Sequence, residues 1–417
     1  MSRSTDTDVR VGVFHPGTQH SHETALAFQQ AGALAWYATS IFYDPRRWPY
    51  NVVKFLPPGA RGRLEYEFKR RHHPDIDPSL VRTFGVWEWV ERLSMRAGLR
   101  MMEHHANEWG NRQFGHQVAA LAARTSVDAI WGFDTSSLAA FDDVRGRGIR
   151  CILDQTVGHP RVWNRILTEE RCLVGPDFDP YPLPYPEADM QRAEREMELA
   201  DRIVCGSTFV RDTLVESGVK AEKTCVIPYG VPEGAFSGRE TPADREGLRV
   251  LFVGHFGLRK GAWYLLEAMR RLSHLRGLTL TIVGKQTVPD RFFAPFGDRI
   301  RRVSHVSRNE VRQVYQNADV FVLPSLFEGS AITVFEALSS GLPVVTTPNA
   351  GSVVRDGVDG FVVPIRDAGA LADRIATLYE DRRLRAEMAM QARARALEFP
   401  WRRHHQELVR WLSSWAN

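Results

Sequence analysis

Cysteine is scarce in this 417-residue chain: Cys151, Cys172, Cys205 and Cys225 are all there are, and none stand in a CxxC spacing. That argues against a disulfide scaffold and a zinc site. No apolar run in the sequence approaches the roughly 18 residues of a membrane-spanning helix. The polar opening MSRSTDTDVR has no apolar h-region, so no secretory signal peptide is expected. A reduced, cytoplasmic setting is the expectation, with membrane association at most peripheral. Charge of one sign is also lacking: 54 Lys and Arg against 50 Asp and Glu give a net charge of +4. That does not indicate a nucleic-acid partner. Finally, neither glycine turn that follows an early strand reads G-x-G-x-x-G, which disfavours a dinucleotide-dependent oxidoreductase.

What is present suits a soluble globular protein, at 43% hydrophobic and 25% charged, long enough for two domains with sizeable cores. The most informative stretch is Leu323–Thr346, LPSLFEGSAITVFEALSSGLPVVT. The apolar residues 320–323 predict a buried strand, and a loop turns at Glu328 and Gly329. A helix is predicted over 331–340, with Gly341 and Pro343 as its stop, and 344–346 predicts the next strand. A helix N-terminus offers free N–H groups and a partial positive charge, where phosphate binds readily. Gly329, Ser330 and Ala331 are small enough to let a ligand approach that backbone closely. Glu336, inside the helix, can reach a pair of ribose hydroxyls, and Glu328, on the loop, can face a sugar. The same residues also fit an ordinary strand–loop–helix carrying two solvated glutamates.

The E-x7-E spacing of Glu328 and Glu336, inside EGSAITVFEALSSGLPVV, resembles the signature of retaining glycosyltransferases of family 4, which have the GT-B fold. The resemblance implies that Glu336 holds a nucleotide ribose and that Glu328 lies by the donor sugar. Two other segments extend the likeness: Ala200–Val219 with Cys225–Val231 (CVIPYGV), and Gly254–Gly261 (GHFGLRKG). In the second, Lys260 and Gly261 match the family motif G-R-(L/F)-x-x-x-K-G, whose Arg and Lys bind donor phosphates. His255 stands where the Arg is common, and Arg259 is expected to supply its contact. Gly17, in the turn after the first strand, would face the donor diphosphate across the cleft. Gly284, His305 and Val306 are expected to line the nucleoside pocket, and the backbone of Gly329, Ser330, Ala331 and Ile332 to hold the phosphates. Many family members carry a histidine at the end of the strand over 151–153. Here Asp154 and Gln155 occupy that place and His159 follows. Asp154 joins Glu328 and Lys260 as a catalytic candidate, while Gln155 and His159 are acceptor-side candidates.

The expected fold is α/β: two doubly wound Rossmann-like domains facing across a cleft, with a C-terminal helix crossing back to the first. The expected boundaries are 1–235 for an acceptor-side domain with a helical and loop insertion over about 43–125, 246–398 for a donor-binding domain, and 399–417 for the crossover helix. Arg161–Pro186, ending in PDFDPYPLPYP, reads as a loop by composition. The basic stretch Arg61–Pro74 reads as a solvated face, with a weak peripheral membrane contact as the alternative. The reaction the resemblance implies is hexosyl transfer from a nucleotide-diphosphate sugar to a sugar, lipid-linked or small-molecule acceptor, with retention of anomeric configuration. No Asp-x-Asp pair is placed to hold a metal at the donor, so a metal-free reaction without a further cofactor is expected. The alternatives are a catalytically silent binding or assembly protein that keeps the fold, and a sugar-nucleotide epimerase.

Overall fold

The computed structural model describes residues 9–17, 20–44, 50–55, 57, 61–62, 71–84, 100–232, 234, 246–304, 306 and 308–416. Among these, two parallel sheets build two α/β units. The first contains β1 (Val11–Phe14), α1 (Ser21–Gln30), β2 (Leu34–Thr39), β3 (Val81–Thr83), α2 (Arg100–Thr125), β4 (Ala129–Phe133) and α3 (Leu138–Val144). It continues with β5 (Arg150–Gln155), α4 (Pro160–Val174), α5 (Glu187–Leu199), β6 (Arg202–Cys205), α6 (Thr208–Glu216) and β7 (Thr224–Val226). The second contains β8 (Leu248–Val253), α7 (Ala262–Arg271), β9 (Leu278–Val283), β10 (Ile300–Val303), α8 (Arg308–Gln316) and β11 (Val320–Leu323). After these come α9 (Ile332–Ser339), β12 (Val344–Thr346), β13 (Gly360–Val362), α10 (Ala368–Glu380) and α11 (Arg382–Leu397); α12 (Trp401–Ala416) closes the chain.

The strands are short apolar runs because both sheet faces are covered by helices. In the first sheet Ile130, Leu153 and Ile203 fill one face, while Trp131, Ile152 and Val204 fill the other. Leu408 and Leu412 of α12 join the second of these faces, and Trp411 packs edge-on against Trp131 at 5.7 Å between ring centroids. The last helix therefore returns to the first unit, as the sequence predicts. Strand order is β3-β2-β1-β4-β5-β6-β7 in one sheet and β10-β9-β8-β11-β12-β13 in the other. Each order reverses direction once, between β1 and β4 and between β8 and β11. Ligands bind in α/β sheets beyond the carboxyl ends of strands at such points.

One reading of the sequence is corrected. Residues 160–174, expected as loop, form a helix. Its signals are local: Pro160 sits in the first turn, the His159 side chain accepts the N–H of Arg161 as a cap, and Val162, Trp163, Ile166 and Leu167 make a helical apolar face. The Pro- and Tyr-rich composition that suggested a loop belongs only to the segment after it. Helix α4 and Phe178 pack into the apolar cluster of the second unit, although they lie between strands of the first. Glu170 fixes this docking. Its carboxylate is fully buried, accepts the Tyr264 hydroxyl at 2.8 Å and pairs with the Arg366 guanidinium. Arg366 holds a left-handed φ of 67°, which costs a non-glycine residue roughly 1 kcal/mol. Positions 233 and 235–245 of the linker lie outside the described residues, as do 45–49, 56, 58–60, 63–70 and 85–99 of the expected insertion.

Removing one partner of a buried ion pair strands the other. Glu170→Ala is therefore expected to destabilise the protein by about 3 kcal/mol, read as a lower melting temperature in calorimetry. Glu169, whose side chain is 44% exposed beside the same Arg366, serves as comparison: Glu169→Ala will lower it far less.

Candidate active site

The second unit contributes its switch point. Strand β8 ends at Val253; Gly254 follows, and a tight turn over Leu258–Lys260 leads into α7. From the end of β11 the chain loops back so that Glu328 Oε1 lies 2.8 Å from Lys260 Nζ and 3.0 Å from Arg259 Nη1. Arg259 also donates to the Phe327 carbonyl at 3.1 Å. The side chains of Lys260 and Glu328 are only 12% and 11% exposed, so this charge pair is screened little by water. Immediately after it, α9 starts behind Ala331 with no side-chain cap. The Ala331 N–H, expected on the phosphates, goes to the Ala350 carbonyl at 3.2 Å and that of Val334 to the Ala331 carbonyl at 2.8 Å, which leaves the Ile332 and Thr333 N–H groups for an anion. Ser330, Ile332, Thr333 and Glu336 are half-buried, while Ala331, Val334, Phe335, Ala337 and Leu338 are buried. The helix thus keeps one face toward the cleft, and Glu336 is on it. The Tyr315 hydroxyl donates to Glu336 Oε2 at 2.7 Å. Burial and the nearby Glu336 push Tyr315 well above the usual phenol value, so it stays a donor.

His255 is exposed at the start of the same turn, with Nε2 3.2 Å from Thr287 Oγ1. Gly284 follows β9 with φ +127°, where an added Cβ would sit 2.2 Å from the Gly254 carbonyl oxygen. Val306 packs partly buried at the edge of the second core; His305 lies outside the described residues.

The first unit contributes the ends of β1, β4 and β5. Gly17 donates to His15 Nδ1 at 3.0 Å, and burial pushes His15 down to about 4. Asp134, which follows β4, is 5% exposed and accepts the Thr156 hydroxyl at 2.7 Å. Burial raises it to about 6. Thr135, next to it, has φ 69°. That strained turn is clamped by buried Glu196, which accepts the N–H groups of Thr135, Ser137 and Leu138 at 2.8, 2.8 and 3.0 Å. Asp154, by contrast, accepts Trp131 Nε1 at 3.2 Å on the sheet face that Trp131 fills, and burial raises it to about 7. Gln155 donates to the Val157 carbonyl at 2.9 Å. His159 is 1% exposed and occupied in capping α4.

The two walls meet. Ser207, the cap of α6, also donates to the Gly329 carbonyl at 2.5 Å. A Cβ on Gly329 would lie 1.7 Å from the Thr156 carbonyl oxygen, so only glycine lets the loops approach. Tyr185, in the segment after α4, is tied to Asn164 through its N–H at 2.8 Å and its carbonyl at 2.9 Å; burial raises its phenol, with Asp134 adding to the rise and Arg259 opposing it. The structure therefore brings Lys260, Arg259, Glu328, Glu336 and the start of α9 together, opposite Asp134 and Thr156. Sequence reasoning missed Tyr315, Asp134 and Glu196. The strand-end rule that singled out Asp154 applies equally to Asp134. Among the described residues no group of three or more His, Cys, Asp or Glu is arranged to hold a metal ion, and no helix is long and apolar enough to cross a membrane.

The family described as Glycosyl transferases group 1 matches residues 247–381, the segment that carries the charge pair and α9. The second unit carries a glycosyl transferases group 1 domain. The amylovoran biosynthesis glycosyltransferase AmsK of Erwinia amylovora is 30% identical over 176 residues, 38% of this chain and 42% of that protein. A D-inositol 3-phosphate glycosyltransferase of Geodermatophilus obscurus is 31% identical over 255 residues, 54% of this chain and 55% of that protein. A sucrose synthase of Acidithiobacillus caldus is 32% identical over 214 residues, 42% of this chain and 27% of that protein. The chain thus spans about half or less of the length of these curated relatives. Over the whole chain the likeness is one of fold. Anabaena Alr3699/HepE, solved in complex with UDP, superposes with a TM-score of 0.64 at 16% identity, covering 97% of this chain and 100% of that one. Sucrose-phosphate synthase from Thermosynechococcus elongatus gives 0.66 at 17% identity, covering 97% and 98%. Both match across the two parallel-sheet units, which is the GT-B arrangement.

Gly329→Ala is expected to hold the two units apart without unfolding either. Small-angle scattering will show a larger radius of gyration while the circular dichroism of the helices is unchanged. An unaltered radius would mean that the Thr156 loop yields instead.

Proposed function

We propose that this chain is a glycosyltransferase that moves a sugar, of hexosyl type, from a nucleotide-diphosphate donor to an acceptor held by the first unit, with retention and without a metal ion. One observation carries the reading: Lys260 and Arg259 face Glu328 at the open N-terminus of α9, with Glu336 further along the same helix. In this reading the donor diphosphate lies on the first-turn amides and the two cations. Negative charge grows there as the bond from the sugar C1 to the leaving oxygen breaks, and preorganised donors lower that barrier. Glu336, fixed by Tyr315, takes the ribose hydroxyls, and Glu328 takes a donor-sugar hydroxyl. Asp134, at the strand end opposite, faces the acceptor. As the acceptor oxygen bonds to C1, its proton passes to an oxygen of the leaving phosphate. This reading leaves Asp154 out of the set, since its Oδ2 accepts Trp131 Nε1. The likeness of the group 1 domain to glycosyltransferases supports the donor side, and solved neighbours that bind UDP and UDP-glucose make those the first ligands to try.

The test is a thermal-shift panel of UDP, GDP, ADP, CMP and TDP on the protein and on Glu336→Ala. A ligand at a hundred times its Kd stabilises the native state by about 2.7 kcal/mol. One nucleotide should raise the melting temperature of the parent protein and fail to do so for the variant. With the matching sugar nucleotide, Lys260→Ala is expected to lower the rate of transfer by about 100-fold or more. Proton NMR of the product reads the anomeric configuration, and EDTA should leave the rate unchanged. If no nucleotide shifts the parent protein, the donor site is misassigned.

A further inference from the structure

The segment that follows α4, residues 175–186 (GPDFDPYPLPYP), reaches over the donor loop of the second unit. Phe178 is 1% exposed and packs edge-on between Trp263 and Phe292, with ring centroids at 5.1 and 5.0 Å. Asp179 is next, at 4% exposure. Its carboxylate accepts the Leu258 N–H at 2.7 Å and the Tyr181 N–H at 3.1 Å. Beside it, the Thr287 hydroxyl donates to the Phe256 carbonyl at 3.5 Å. Thr287 Oγ1 in turn stands 3.2 Å from Nε2 of His255. The strap carboxylate and the Thr287 hydroxyl thus stand together at Gly257, and that hydroxyl meets an exposed imidazole on the glycine turn. Gly257 makes room for them: a Cβ there would lie 2.6 Å from Asp179 Oδ2 and 2.7 Å from Thr287 Oγ1.

This arrangement fixes the histidine chemically. With the Thr287 hydroxyl directed to the Phe256 carbonyl, its oxygen is left to accept, so Nε2 carries the proton and donates. Any further proton goes to Nδ1, which has no protein partner among the described residues. The charged groups that act on the ring are Asp179 and, with opposite effect, Lys285, Arg259 and Lys260; a Cβ on the neighbouring Gly254 would lie 3.5 Å from Lys260 Nζ. Three cations oppose a fourth until an anion arrives. A diphosphate on Lys260 and Arg259 would reverse that balance, and Nδ1–H would then donate to it.

We propose that His255, held by Thr287 beside Asp179, takes up a proton when a sugar nucleotide binds, so that donor affinity rises as pH falls. The proposal rests on the donor-site reading given above. Burial lowers His255 below the usual imidazole value; Asp179 raises it, and Lys285, Arg259 and Lys260 lower it further. The sign follows: the complex binds more protons than the free protein between the free and bound values, so affinity is greatest below that window and lost above it.

The experiment is isothermal titration calorimetry with UDP-glucose, GDP-mannose and ADP-glucose. Sugar nucleotides are used because their diphosphate, esterified at both ends, has no ionisation near neutrality. For the one that binds, affinity should fall about tenfold between about pH 5.5 and about pH 8, the worth of one charge-assisted hydrogen bond. Heats in buffers of differing ionisation enthalpy should report uptake of up to about one proton. His255→Asn should bind weakly with a flat pH profile. His255→Arg should bind tightly with a flat profile, which no merely structural role for His255 would produce. Asp179→Asn should move the transition to lower pH, since one negative neighbour is lost. A flat profile for the parent protein, or an unchanged slope in His255→Asn, overturns the proposal while leaving the donor site standing. If no sugar nucleotide binds, the donor-site reading fails and this inference falls with it.

Discussion

Two cations and one carboxylate, held together in a nearly dry place, set the terms for the second unit. Lys260 and Arg259 come from the turn after β8, and Glu328 from the loop after β11. These are the two strands that flank the change of direction in the sheet. Burying an ammonium without a partner is unfavourable by several kcal/mol. Glu328 offsets that, and in doing so fixes how the β11 loop returns and where α9 begins. The open amide end of α9 and the two cations then point into one space because the same ion pair ties their loops. An anionic ligand there meets donors already in place, with little reorganisation left to make.

The domain division is less simple than chain order suggests. Helix α4 follows a strand of the first sheet, yet its apolar face and its buried Glu170 belong with the second unit. Any relative motion of the two units must therefore be taken up on either side of residues 160–186. One of these crossings runs through Gln155–His159, the loop whose Thr156 carbonyl meets Gly329. The same few residues thus serve as connection, as wall of the cleft and as the surface on which the other loop closes. A glycine at 329 is a steric requirement of that closure.

How much of this the sequence showed follows the range of the forces involved. The strand–loop–helix around Glu328 and Glu336 was legible because apolar runs, small residues and the Gly341–Pro343 stop are local signals. Lys260 was legible from its place on a glycine turn at a helix start. Tyr315 was not: its hydroxyl reaches Glu336 from α8, another helix, a contact with no local signature. Asp134 and Asp154 looked alike, each a carboxylate where a strand ends. Alternation along a strand says that neighbours face opposite ways, but register and the covering helices decide which of them meets the cleft. His159 looked like a site residue and proves to be a helix cap, because α4 itself was hidden by the composition of the segment that follows it. Ser207 was read as a cap, which it is; its second bond, to Gly329 across the cleft, has no local signature.

The strap over 175–186 shows why a substitution at a binding loop cannot be judged from that loop alone. His255 stands where the resembling family commonly has an arginine, and read in isolation it is a weaker, conditional cation. In the fold it is fixed by a hydroxyl of the second unit and tuned by a carboxylate delivered from a segment between strands of the first. The strap that places Asp179 also carries Tyr185, which lies under the influence of both Asp134 and Arg259. The charge available to a donor and the lining of the opposite wall therefore depend on the seating of one short segment. Phe178, wedged between Trp263 and Phe292, is what seats it.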